Sequence, residues 1–137
     1  MNLNSVNELR VLVCGGRTYD DKERVFRVLD KAFEAAISTE RRFVLIHGGA
    51  KGADALSSLW ASTRQDSVEE RVYPADWSTH GKGAGPIRNR LMLTKECPHV
   101  IVAFQGGRGT ADMIAIGKKA GVPVYEVDKR ETHTSSK

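Results

Sequence analysis

The chain has 137 residues, 40% of them hydrophobic and 28% charged, with a formal net charge of +4 at pH 7. This fits one soluble globular domain with a normal core. No apolar stretch approaches the ~20 residues of a membrane span, and Met1 to Glu8 lacks the apolar core of a signal peptide, so a cytoplasmic protein without a membrane partner is expected. The positive charge favours anionic partners, but the basic residues are scattered, and charge alone does not separate a nucleotide from a nucleic acid.

Residues 1–8 are expected to be a flexible N-terminus, 9–129 the domain and 130–137 a flexible C-terminal tail. Val11-Leu12-Val13 predicts a strand covered on both faces. Asp20 and Asp21 suit a helix N-terminus, after which Val25, Val28, Leu29, Ala32, Phe33, Ala36 and Ile37 recur at helical spacing. Phe43 to Ile46 is the second predicted strand, and Ala53, Leu56, Leu59, Trp60 and Thr63 mark the second helix. Arg71 to Pro74 reads as a short third strand opening into a long loop, Ala75 to Gly85. Pro86 suits the first turn of the next helix, whose apolar stripe is Ile87, Leu91 and Thr94. Val100 to Phe104 is the fourth strand, and a helix from Thr110 to Ala120 stops at Gly121. In the last strand, Val122 to Val127, Pro123 argues for a sheet edge or a strand start. This alternation predicts an α/β fold: a single Rossmann-like domain with a mainly parallel five-stranded sheet and helices on both faces.

Cys14 and Cys97 are read as buried free thiols rather than a disulfide. With no CxxC and no HExxH, neither a metal site nor a cofactor is expected.

Glycine-rich turns follow three of the strands and precede three of the helices: Gly15-Gly16-Arg17, Gly48-Gly49-Ala50-Lys51-Gly52-Ala53-Asp54, and Gly106-Gly107-Arg108-Gly109-Thr110. Glycine lets backbone N–H groups approach a ligand closely, and the helix that follows adds free N–H groups and the positive end of its dipole. In an open α/β sheet such turns gather at the carboxyl edge of the strands. One pocket for an anionic ligand is expected there, a phosphate-bearing nucleotide first among the candidates. The Walker A loop does not fit, because Lys51 precedes the last glycine and no Ser or Thr follows it. The dinucleotide fingerprint does not fit either, because Asp112 stands where its third glycine belongs.

These turns, together with Gly85-Pro86-Ile87-Arg88-Asn89-Arg90-Leu91-Met92 and the extension Ala111-Asp112-Met113, resemble the SLOG superfamily over about residues 9–127, in its YspA and YpsA-related branch. The resemblance implies a Rossmann-like fold that binds nucleotides or nucleic acid, and makes a homodimer an expectation. Two better-known branches imply different activities. The LOG-type phosphoribohydrolases cleave the N-glycosidic bond of nucleoside 5′-monophosphates with a signature Gly-Gly-x-Gly-Thr-x-x-Glu. Gly106, Gly107, Gly109 and Thr110 match it, Met113 occupies the Glu position, and Asp112 lies one residue earlier, a rotation of roughly 100° on a helix. DNA-processing protein A binds single-stranded DNA, and its segments resemble Gly49 to Asp54 and Arg88 to Arg90, without the flanking domains.

Gly15, Gly16, Arg17, Gly48, Gly49, Lys51, Asp54, Arg88, Gly106, Gly107, Gly109 and Thr110 are the ligand-binding candidates, with Asp112 the catalytic one if turnover occurs. Thr110 and the N–H groups around it form the favoured phosphate cradle. Arg88, in a first helical turn, is read as a bidentate phosphate partner or a surface ion pair. Asp54 is read as an acceptor for loop N–H groups or for ribose hydroxyls. Asp112 is either a carboxylate that orients water or a dipole-favouring acid. His47 is read as a satisfied core histidine. Tyr19 is read as a base-stacking or packing ring, and Trp77 as part of a lid or a loop anchor.

Overall fold

In the computed structural model residues 7–127 are described. The strands are β1 (Glu8–Cys14), β2 (Arg42–His47), β3 (Val68–Val72), β4 (Val100–Ala103) and β5 (Val124–Glu126). The helices are α1 (Lys22–Ser38), α2 (Ala53–Ser62), the four-residue α3 (Trp77–His80), α4 (Ala84–Glu96) and α5 (Arg108–Lys119), with a 3-10 turn at Gly81–Gly83. The sheet order is β3-β2-β1-β4-β5 and every pairing is parallel. The result is a Rossmann-like α/β domain.

Side chains alternate across the central strand. Val11 and Val13 join Val25 and Leu29 of α1 and Ala53 and Trp60 of α2 on one face. Leu12 and Cys14 join Met92 of α4 and Met113 of α5 on the other. Both faces of β1 are therefore covered, which is why its sequence is continuously apolar. Asp21 is the cap of α1, accepting from the Arg24 N–H at 3.1 Å.

Several expectations are corrected. The third strand starts at Val68, not Arg71, and ends at Val72. The charges that conceal it are paired on a sheet edge: Arg71 donates to Glu69 at 2.7 Å, Arg42 lies 3.4 Å from Glu69, and Glu70 meets His47. The expected loop 75–85 is mostly helical, because Asp76 caps α3 by accepting from Thr79 N–H at 3.2 Å, and α4 already begins at Ala84, with Pro86 in its first turn. Cys97 is exposed rather than buried, at the C-cap of α4 with φ +46°. Glu8, assigned above to the flexible terminus, opens β1 and is buried through an ion pair with Arg71 at 3.1 Å. The rest of the expected flexible ends, 1–6 and 130–137, lies outside the described residues, apart from Asn7, as do 128 and 129 of the expected domain. Pro123 precedes the edge strand β5, where it offers its carbonyl to the Ile101 N–H at 2.9 Å. Among the described residues no helix is long and apolar enough to cross a membrane.

Candidate functional site

The connection from β1 leads to β2 on one side and that from β4 leads to β5 on the other, so a crevice opens between the carboxyl ends of β1 and β4. The glycine turns interlock across it. Gly16 N–H donates to Gln105 O at 3.0 Å, and Gly16 O accepts from Ala53 N–H at 3.2 Å. Three turns from distant parts of the chain are thereby held as one edge.

A cavity of about 600 Å³ occupies this crevice. Val13, Cys14 and Met92 line its base; Gly15, Gly16 and Arg17 come from the first turn, and Gly48, Ala50 and Asp54 from the second. α4 contributes Gly85, Pro86, Arg88 and Asn89, the last turn and α5 contribute Gly107, Arg108, Gly109, Thr110 and Asp112, and Trp77 and Lys82 reach in from the rim. Three candidates stand apart. Gly49 shapes its turn at φ +73°, Lys51 is exposed away from the cavity, and Gly106 lines a neighbouring hollow with Thr18 and Tyr19. Tyr19 packs on Phe104, ring centroids 5.1 Å apart.

The helix starts differ in a way that bears on chemistry. α1 and α3 are capped by aspartate side chains. α2, α4 and α5 open beside the cavity behind Gly52, Gly83 and Gly107, with no side-chain cap. The first N–H groups of an α-helix have no partner within it, and at α5 they belong to residues that line the cavity.

Asp54 takes the loop-shaping role. Its Oδ2 accepts from Gly48 N–H and Ala50 N–H, both at 3.2 Å, while the buried Oδ1 has no partner among the described residues. Burial pushes this carboxyl above its ordinary value, against the opposing pull of His47 and the two backbone bonds. Its stability contribution is therefore full below the unfolded-state value and lost as pH rises through the raised folded value. His47 is the satisfied histidine expected: Nδ1 accepts from Gly49 N–H at 3.0 Å and Nε2 meets Glu70 at 2.5 Å.

Of its two sequence readings, the surface ion pair does not hold for Arg88, which lines the cavity. Its Nη1 donates to Gly48 O at 2.9 Å and to Tyr73 O at 3.3 Å, and its Nε donates to Asn89 Oδ1 at 3.0 Å. It is a strut that ties the second turn to α4. Asn89 carries the connection onward, donating to Asp112 Oδ2 at 3.0 Å and Gly109 O at 3.2 Å. No role for Asn89 was drawn from the sequence. The available signal was its spacing of three from Met92, which puts both on the inner face of α4. Lys82 and Arg108 were also passed over, although Arg108 sits inside the last glycine turn. Asp112 lines the cavity, whereas Met113 is fully buried against the sheet. The helical rotation between them separates wall from core.

Burial pushes the Cys14 thiol up to about 12, with the Asp54 carboxylate adding to the effect. Alkylation at pH 8 is therefore expected to modify Cys97 and leave Cys14 intact in the folded protein, and to modify both in denaturant, as read by mass spectrometry. Rapid native labelling of Cys14 would contradict its burial.

The profile of the YspA, cpYpsA-related SLOG family matches residues 9–80. The Gene 61 protein of Mycobacterium phage D29 is 36% identical over 120 residues, covering 84% of this chain and 93% of that protein. No solved structure matches the chain. The fold, the glycine turns and these matches agree, and the chain belongs to the YspA, cpYpsA-related SLOG family.

Proposed function

We propose that the protein binds a nucleotide or nucleotide-derived phosphate ligand at the C-terminal edge of its sheet, as a binding or sensing module. The observation that carries this reading is the uncapped N-terminus of α5 opening on the cavity, with the Thr110 hydroxyl beside it and Arg17, Lys82 and Arg108 around the opening. Free N–H groups, the helix dipole and guanidinium groups all favour a phosphate. Melting curves with nucleoside mono-, di- and triphosphates test the reading. A ligand at a hundredfold excess over its Kd adds about 2.7 kcal/mol to the folded state. Arg17→Ala and Arg108→Ala alter exposed residues, so each is expected to leave the ligand-free melting point in place and weaken binding about tenfold. Unchanged melting with every nucleotide would sink the reading.

Asp112 supports a second reading, a nucleoside 5′-monophosphate N-glycosidase. Its carboxylate lines the cavity and is oriented by Asn89, as a group that positions water against a sugar would be. Release of free base by the wild type and its loss in Asp112→Asn would establish turnover; a bound, intact monophosphate would exclude it. Single-stranded oligonucleotides belong in the same panel. A steep fall of their affinity with salt is what the nucleic-acid alternative requires.

A further inference from the structure

The rim of the cavity carries an element that the phosphate cradle does not use. No residue of α3 or of the Gly81–Gly83 turn is buried. The segment is held largely by its own polar bonds, Asp76 accepting from Thr79 N–H at 3.2 Å and from the Ser78 hydroxyl at 2.9 Å. Trp77, at its start, lines the cavity while remaining 48% exposed. A tryptophan serving only as an anchor would bury its ring against the core, as Trp60 does. Two neighbours of Trp77 lie at the cavity: the Arg17 guanidinium carbon is 5.4 Å from its ring centroid, and its outer edge approaches Gly85.

We propose that Trp77 is the platform on which the aromatic base of a nucleoside phosphate stacks, so that the site prefers base-bearing nucleotides to sugar phosphates alone. This rests on the phosphate-ligand reading above and adds the chemistry of the ligand's other end. The cavity volume suits it, since pockets of roughly 300–1,000 Å³ accommodate molecules of this size. A ring packed on both faces needs about 7 Å between its neighbours, twice a van der Waals contact. The 5.4 Å between Arg17 and the indole is too narrow. The base therefore displaces the exposed guanidinium, which is released toward the phosphate, or it lifts the rim by about 1.5 Å. Either movement is open to a segment with no buried residue.

The test is calorimetric titration of adenosine, guanosine, cytidine and uridine 5′-monophosphates and of ribose 5-phosphate, with tryptophan fluorescence in parallel. The monophosphates are expected to bind at least about tenfold more tightly than ribose 5-phosphate. Trp77→Ala removes that advantage, a loss of roughly 10- to 100-fold for nucleotides, and leaves ribose 5-phosphate binding as it was. Trp77→Phe keeps most of the advantage. Nucleotides change the emission of the wild type but not of Trp77→Phe, whose remaining Trp60 is fully buried. Melting curves of both variants check that they fold. Equal affinity for ribose 5-phosphate and the nucleotides, or full nucleotide affinity in Trp77→Ala, would refute the stacking platform and leave the phosphate site standing. Binding of none of the five would refute the platform, and unchanged melting with di- and triphosphates as well would overturn the phosphate reading with it.

Discussion

Gly52→Ala is expected to lower the melting temperature by about 10 °C, from a destabilisation of roughly 3 kcal/mol. Gly52 lies at φ +75° and ψ −124°, a region closed to residues with a Cβ. A Cβ there would stand 2.1 Å from Gly16 O and 2.6 Å from Arg17 C. These are backbone atoms of the first turn and cannot swing away as the end of a side chain can. Gly16 O also accepts from Tyr19 and Ala53 N–H groups, both at 3.2 Å, so pushing it aside breaks the joint between two turns. Gly109→Ala provides the opposite case. It lies in the first turn of α5 with nothing within 4 Å of the added Cβ, so stability is expected to rise by about 0.5–1 kcal/mol. If the proposed phosphate ligand binds at the start of α5, its affinity is expected to fall, because the methyl group enters the space beside it. Circular-dichroism melts measure both changes, and a Gly52→Ala protein that melts with the wild type would refute the account of the joint.

Arg88→Met is expected to cost about 2–3 kcal/mol in urea unfolding, even without ligand. The change strips donors from Gly48 O, Tyr73 O and Asn89 Oδ1 together. Water entering from the cavity satisfies part of the loss, which keeps the figure below that of a sealed core. Arg88→Lys does not restore it, since one ammonium lacks the fork that reaches carbonyl and amide oxygens at once. Arg90→Met, exposed on the same helix, is expected to stay within about 0.5 kcal/mol of the wild type. The ligand-free measurement is decisive. An arginine held only to meet phosphate would leave the empty protein equally stable, or more so, when removed.

The layout of the sheet was legible because its signals are local. Apolar runs, helical spacing and glycine turns depend on neighbouring residues, and β1, β2, β4, α1, α2 and α5 follow them closely, whereas the stripe Ile87, Leu91 and Thr94 expected of α4 is exposed and its buried face carries Asn89, Met92 and Glu96. β3 was displaced because Glu69, Glu70 and Arg71 look like surface until their partners on other strands and helices are known. The segment after it was read as a loop because α3 is one turn long and has no apolar stripe to betray it. At the cavity, the separation of Asp112 from Met113 follows from helix geometry alone. The role of Arg88 does not, because its carbonyl partners lie 40 and 15 positions away. Asn89 was hidden for the same reason: its meaning comes from a helix 20 and more positions further on.

The crevice between β1 and β4 also sets an order of events during synthesis. Arg10 and His99, joined at the lower end of that pairing, are 89 positions apart. At about 5–20 residues per second, a ribosome needs roughly 4–18 s to cover that distance. For the last part of it, the 28 positions from the end of β3 at Val72 to the start of β4 at Val100, β1, β2 and β3 can pair while the other side of β1 has no partner. An open, apolar strand edge recruits other chains. The nascent protein is therefore most vulnerable to aggregation while the side of β1 that will border the crevice is still a bare edge, and a message truncated before Val100 leaves it in that condition permanently.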